Sequence, residues 1–253
     1  MNTVNCWRLC LEIGLNHLGQ TKNVKDILNV IHKQNIQCAV SIQIREEEFY
    51  SDGRENLKLS LDDYCEIRKI CSNFEIPFGL ALGPLKDMDW ILGSDLKPDF
   101  LKILGMATKN TNFVDSLNRF NCDKYFSVGL SSLDFIESEI IPRMQKDDAL
   151  IHTSISHSFQ DQNLIEIKAL ESMGKKVFFG QHSDSSEVCF AAIGMGASKI
   201  FAYIGDKKFE LPDHEHAVSL TDAKKFYDQC MVCFGALGSI QDGVKTSKID
   251  FIG

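Results

Sequence analysis

The stretch Leu9-Cys-Leu-Glu12-Ile-Gly-Leu-Asn-His-Leu-Gly19 decides how this chain is read. Its first three residues are apolar, and the octet Glu12–Gly19 then runs straight into an amphipathic segment. A carboxylate (Glu12), an amide (Asn16) and an imidazole (His17) are thereby gathered where a first strand hands over to a first helix. Parallel α/β folds place their chemistry at that kind of junction, at the C-terminal ends of strands.

Outward from the octet, short apolar runs alternate with segments of helical period. Candidate strands are Arg8–Ile13, Gln37–Ile42, Pro77–Leu82, Phe100–Leu104, Tyr125–Val128, Ala149–Thr153, Lys176–Phe179 and Lys199–Ala202. Their lengths suit buried parallel strands. Between them the spacing predicts helices over Thr21–Gln34, Leu61–Ser72, Phe113–Phe120, Leu133–Met144, Asn163–Met173, Glu187–Met195 and Thr221–Leu237. Thr21 is placed to cap the first, whose apolar face is Val24, Ile27, Leu28 and Ile31. Gly174 and Gly196 stand just past two others, as C-terminal caps do. Eight strand–helix units in 253 residues favour one α/β domain, 1–253, folded as a (β/α)8 TIM barrel, over a doubly wound sheet. The polar insert Arg45–Ser60 follows strand two and is expected over the catalytic face as a flap.

Composition narrows the function classes. Hydrophobic residues make up 44% and charged residues 25%, an ordinary globular balance. A net charge of −8 argues against nucleic acid as partner and requires any anionic ligand to find a local positive site. No apolar run approaches a membrane span, and no signal-peptide core opens the chain, so no membrane partner and a cytoplasmic location are expected. Nine cysteines without a regular framework fit a reducing compartment. Cys230 and Cys233 have CxxC spacing, but they lie in a periodic helical stretch with no second pair and read as a reduced helix face.

Strand ends select the residues able to do chemistry: Glu12, Asn16 and His17, then Gln43, Lys102, Ser127, the run His152-Thr153-Ser154 and the segment Gln181–Ser186. Lys102 interrupts an apolar run, where a lysine needs a carboxylate or a bound anion, or must reach the rim with its ammonium. His182 lies in a polar cluster opening a helix, as a metal ligand beside Asp184 or as a hydrogen-bonded loop histidine. Leu211-Pro-Asp-His-Glu-His216 is the densest group of histidines and carboxylates, open to readings as metal site, substrate contact or solvated loop.

Taken together, these positions resemble the barrel domain of the sialic acid (N-acetylneuraminate and related nonulosonate) synthase family. The likeness runs from about Cys10 to Ser247. Glu12–Gly19 resembles the family's Glu-Ile-Gly-x-Asn-His-x-Gly, Asp99-Phe-Leu-Lys-Ile103 its strand-four lysine motif, and Phe126-Ser-Val-Gly-Leu130 its Leu-Ser-Thr-Gly-Met. Ser183-Asp184, Leu211-Pro-Asp-His214 with Ser219-Leu220, and Ala236-Leu-Gly-Ser239 with Gly243-Val-Lys245 are similar to later motifs in order.

The resemblance implies condensation of phosphoenolpyruvate with an acylamino-hexose in surface-carbohydrate biosynthesis, phosphate leaving by C–O cleavage. It also implies a divalent metal, Mn²⁺ or Mg²⁺, that polarises the sugar aldehyde. Carried over by position, Glu12 and Lys102 are catalytic, Glu12 acting at the metal-bound water or aldehyde. Lys102, Ser127 and Ser183 hold the phosphoenolpyruvate anion, Asp213 binds sugar hydroxyls, Gln43 lines the pocket, and Ser154 is a further substrate contact. The chain also departs from the pattern. The strand-two lysine reads Ser41, the strand-four serine Gly105, the histidine after Ser-Asp Ser185, and the strand-eight histidine Tyr203. His182 is left as the histidine placed to reach a metal. The family's C-terminal antifreeze-like domain has no counterpart in these residues, so a homo-oligomer would use another interface. Three functions follow: a divergent synthase, a non-catalytic barrel binding a sugar or small acid, and a metal-independent enzyme acting on a phosphorylated or acidic sugar.

Overall fold

The computed structural model describes residues 7–51 and 53–238. Eight parallel strands run in sequence order around a closed cylinder: β1 (Leu9–Gly14), β2 (Ala39–Ile44), β3 (Phe78–Leu82), β4 (Phe100–Ile103), β5 (Asp123–Ser127), β6 (Ala149–Thr153), β7 (Lys176–Gln181) and β8 (Ile200–Gly205). Closure is direct, with Cys10 opposite Phe201 and Glu12 opposite Tyr203 where β8 meets β1. A two-residue strand, β9 (Val218–Ser219), joins the upper end of β8. The expected (β/α)8 barrel is therefore the observed fold, with Ala149–Thr153 as expected and the other strand boundaries moved by at most three residues.

Side-chain alternation sorts each strand into two faces. Leu9, Leu11 and Ile13, with Val40, Ile42 and Ile44, belong to the large core between strands and surrounding helices. Cys10, Ala39, Phe100, Tyr125, Ile151, Phe178 and Phe201 instead gather with Trp7 inside the barrel. Two residues further along the same strands come Glu12, Ser41, Lys102, Ser127, Thr153, Gly180 and Tyr203, which by parity occupy the next interior layer. An apolar layer thus closes the lower barrel and a polar layer forms its mouth.

The helices form for local reasons that the sequence shows. Helix Thr21–Lys33 buries Val24, Ile27, Leu28 and Ile31, the stripe expected of it. Thr21 does not cap it: its hydroxyl donates to Asp63 at 2.6 Å, joining this helix to the next. That next helix, Leu61–Asn73, carries a capping box between Ser60 and Asp63. The segment Leu133–Met144 is not one α-helix. It passes from an α turn (Leu133–Phe135) through a π turn (Ile136–Ile140) to a 3₁₀ turn (Ile141–Arg143), where Pro142 has no N–H to continue the ladder. Gly174 and Gly196 do end helices, with φ of 79° and 112°.

The insert after β2 is more ordered than its composition suggests. It holds a helical turn, Glu47–Tyr50, and a 3₁₀ turn, Glu55–Leu57, and Tyr50 is buried. Gly19 closes the opening octet at φ 67°, and a Cβ there would stand 1.8 Å from the Asn56 carbonyl, so the glycine lets the insert dock on the β1 loop. All eight described cysteines are free, including Cys230 and Cys233. Among the described residues no helix is long and apolar enough to cross a membrane. Ser239 and Gly243–Lys245, the end of the last resembling motif, lie outside the described residues.

Candidate active site

Glu12 and Lys102 meet at the centre of the mouth. Both Glu12 carboxylate oxygens accept from Lys102 Nζ, at 2.7 and 2.6 Å, and the two residues are 1% and 3% exposed. Ser41, standing where the family has a lysine, donates its hydroxyl to Glu12 Oε1 at 3.3 Å. Lys102 Nζ also lies 5.6 Å from the Phe201 ring centre and 5.7 Å from that of Tyr203. A buried pair of this kind is held by mutual compensation, and removing either partner strands a charge. The lysine that interrupts an apolar run thus has its carboxylate within the protein, supplied from a strand 90 residues earlier.

Gly14 shapes the neighbouring wall. The β1–β2 register slips between Glu12 and Gly14, and Gly14 adopts φ 57°. A Cβ there would lie 2.7 Å from the Tyr203 ring and 3.1 Å from Asp213 Oδ2, so glycine is needed for both contacts. Asn16 then ties the seam: its amide donates to Ile204 O at 3.0 Å and accepts from the Asp213 N–H at 3.1 Å. The loop after β8 is in this way bolted to the loop after β1.

Asp213 reaches the mouth through that bolt. Burial, then the Glu12 charge, push its carboxyl up to about 7; Lys102, the Leu15 N–H and His157 act in the other direction. Its Oδ2 is shut from solvent and has no hydrogen-bond partner among the described residues. Oδ1 lies 3.7 Å from His216 Nε2. His216 stacks on His182, ring centres 5.0 Å apart, and meets Tyr203 edge-on at 4.8 Å. Burial, then the Lys102 charge, hold His182 down at about 3. Burial, then the nearby His157, hold His216 at about 4. Both imidazoles are therefore neutral hydrogen-bonding groups at neutral pH. Cavities of about 390 and 610 Å³ open beside His216, the first reaching Gln181 and the second His157 and Asp213.

The remaining expected residues divide into two groups. Ser127 belongs to the mouth layer, and its buried Oγ has no partner among the described residues, like Gln181 Oε1. Gln43 is buried near the upper end of β2. Ser183 and Ser154 instead serve their own loops: Ser183 Oγ accepts from the Ser185 N–H at 3.2 Å, and Ser154 Oγ accepts from the Ser156 N–H at 3.1 Å. His152 faces outward, its Nε2 2.8 Å from Gln162 O. His17 is buried with Nδ1 accepting from the Gly19 N–H at 2.9 Å, so it shapes the turn. His216 is the residue that strand-end reasoning did not single out, although it closes the Leu211–His216 cluster. For His216 the signal was its place three residues after Asp213; nothing in the pattern pointed it inward.

The divalent metal implied by the resemblance does not find a donor set. Among the described residues no three His, Cys, Asp or Glu side chains are grouped so as to hold a metal ion. Tyr203 stands at one ligand position, its phenol held well above the ordinary range by burial and by Glu12. Ser185 stands at the other and is bonded to Glu187 at 2.7 Å.

A closed parallel barrel with a buried Glu–Lys pair and unpartnered polar atoms in its C-terminal mouth defines an α/β barrel with a candidate active site at that end. A model of the NeuB family matches residues 20–242, and the chain belongs to that family, the family of the sialic acid synthases. No curated protein gives a significant sequence match. Among solved structures, the chain is similar to an N-acetylneuraminic acid (sialic acid) synthetase from Leptospira borgpetersenii serovar Hardjo-bovis, in complex with citrate. The TM-score is 0.84 at 18% identity, over 96% of this chain and 88% of that one. A putative spore coat polysaccharide biosynthesis protein E from Chromobacterium violaceum gives 0.82 at 14% identity, over 94% and 78%. A truncated 3-deoxy-D-arabino-heptulosonate 7-phosphate synthase from Thermotoga maritima gives 0.71 at 11%, over 92% and 89%. At these identities the structural likeness speaks for the fold.

Proposed function

We propose that this barrel is a sialic-acid-type synthase in polysaccharide biosynthesis, joining phosphoenolpyruvate to the carbonyl carbon of an acylamino-hexose. The observation that carries this reading is the mouth layer: Glu12 and Lys102 paired out of solvent, with Ser127 Oγ and Asp213 Oδ2 lacking a partner among the described residues at the same end of the barrel. Family membership gives those residues their context.

In this reading the donor's anionic oxygens exchange with the Glu12 carboxylate on Lys102. The exchange keeps the ammonium paired and frees Glu12 to move a proton at the reacting carbons. Ser127 donates to the same anion, while Gln43 orients hydroxyls. The neutral His182 and His216 give hydrogen bonds without adding charge, and Asp213 faces the sugar. Among the described residues no other lysine or arginine lies in the same interior layer as Lys102, and Arg45, just past the upper end of β2, is near enough to act on Tyr203.

Thermal unfolding with phosphoenolpyruvate, with and without Mn²⁺, tests the reading. Ligand at 100 times its dissociation constant adds about 2.7 kcal/mol, and Glu12→Gln keeps most of that gain because Lys102 is retained. Absence of any shift at millimolar phosphoenolpyruvate, in both conditions, sinks the synthase reading.

A further inference from the structure

Among the described residues the mouth offers no metal donor set, but it holds a buried carboxyl group shifted toward the protonated form. Asp213 is delivered by the Asn16 bolt, its Oδ2 is closed to solvent, and Gly14 leaves room above β1 for that oxygen. The groups facing it come from several elements: Glu12 on β1, Lys102 on β4, Tyr203 on β8, His157 after β6, and His216 in its own loop. Burial first and then the Glu12 charge outweigh Lys102, the Leu15 N–H and His157 and raise this carboxyl to about 7, so the neutral acid is well populated at neutral pH.

We propose that Asp213 is the electrophilic catalyst of this barrel, protonating the acceptor's carbonyl oxygen directly so that the condensation runs without a divalent ion. The inference rests on the synthase reading and assigns the activation step within it. The donor's enol carbon attacks the carbonyl carbon. The new C–C bond forms as the carbonyl π pair moves onto oxygen, which takes the Asp213 proton and becomes a hydroxyl. Water, the co-reactant, adds to the resulting oxocarbenium carbon, and its proton restores Asp213. Phosphate then leaves with the C–O bonding pair and the proton of the new hydroxyl, giving the keto group.

A carboxylic acid kept neutral by an apolar, anionic surrounding is a competent hydrogen-bond donor and general acid near pH 7. Its proton transfer is expected to contribute about 10²- to 10⁴-fold. His216, 3.7 Å from Oδ1 and neutral, can hold the carboxylate left behind without a change of charge in the ground state.

The experiment has three arms on the full chain. Phosphate release from phosphoenolpyruvate is followed with a panel of acylamino-hexoses, in chelator and in Mn²⁺. Mn²⁺ alone is titrated by its electron paramagnetic resonance signal. The Asp213 carboxyl is followed by ¹³C NMR across pH. Expected are turnover that survives chelator, no stoichiometric Mn²⁺ binding, and an Asp213 titration near neutrality that disappears in Asp213→Asn. That variant loses about 100-fold or more in kcat while its phosphoenolpyruvate-dependent thermal shift is kept. Stoichiometric Mn²⁺ binding, Mn²⁺-dependent turnover, an ordinary carboxylate titration, or unaltered kcat in Asp213→Asn each overturns the inference and leaves the synthase reading standing. No turnover and no phosphoenolpyruvate shift in any condition takes down the synthase reading, and the inference with it.

Discussion

The lower and upper halves of the barrel interior are built on the same strands, two residues apart, and obey opposite rules. Below, Trp7, Phe100, Tyr125, Phe178 and Phe201 pack ring against ring, with centroids from 4.9 to 6.2 Å apart. Above, Glu12, Ser41 and Lys102 satisfy one another, while Ser127 and Asp213 present atoms with no partner among the described residues. The lower layer gains stability from close packing and apolar burial. The upper layer spends part of that stability on polar groups held ready for something that is not protein. A stable floor is what permits a mouth of this polarity.

The strongest way to break the contrast is at the ion pair. Lys102→Met strands the Glu12 carboxylate, and a denaturant titration should show a loss of about 3–5 kcal/mol. Adding Glu12→Leu to it should recover most of that loss, since an apolar pair can replace a buried ionic one with little net cost. A double variant as unstable as the single would mean that the upper layer is structural in its own right. In the floor, Phe201→Leu conserves most of the volume and should cost about 1 kcal/mol. It should leave phosphoenolpyruvate-dependent stabilisation unchanged; a weakened ligand shift would join the two layers into one functional unit.

Acid titration gives the most discriminating effects, because the histidines and the carboxyl act with opposite sign. His182 and His216 sit at about 3 and about 4 when folded, below the ordinary imidazole value of about 6.5. As pH falls the unfolded chain takes up these protons first, so this stability is intact above about pH 6.5 and is lost on the way to 4. Asp213 runs the other way. Its folded carboxyl, at about 7, binds a proton before the unfolded one at about 3.9 does, so it adds stability as pH falls between those values. Stability measured from pH 7 to 4 should therefore decline less in His216→Gln and more steeply in Asp213→Asn. Equal slopes in the two variants would remove the electrostatic distinction between the groups.

Most of the fold was legible because it is periodic. Strands such as Phe100–Ile103 announce themselves as apolar runs, and the Val24–Ile31 stripe announces its helix. The splitting of Leu133–Met144 was less visible, since helical spacing persists through it while Pro142 removes one donor. Within the site, Glu12 and Lys102 stood out as charges set in buried strands. That they pair with each other did not, because the contact joins β1 to β4 across the barrel, through three successive strand registers and the curvature of the closed sheet. Thr21 shows the same limit at small scale: a hydroxyl fit for its own helix end went to Asp63 on another helix. Asp213 was legible as a motif residue, but its unpartnered oxygen comes from the Gly14 kink and the Asn16 bolt, which join segments 197 residues apart.

That bolt also sets a clock. Asn16 leaves the ribosome well before Ile204 and Asp213, the two partners of its amide, which arrive only after seven strands have been made. Chains grow at about 5–20 residues per second, so Glu12 and Lys102 wait seconds beside an open seam. The polar mouth cannot exist in any shorter nascent chain, and the barrel acquires its chemistry in the same event that completes its shape.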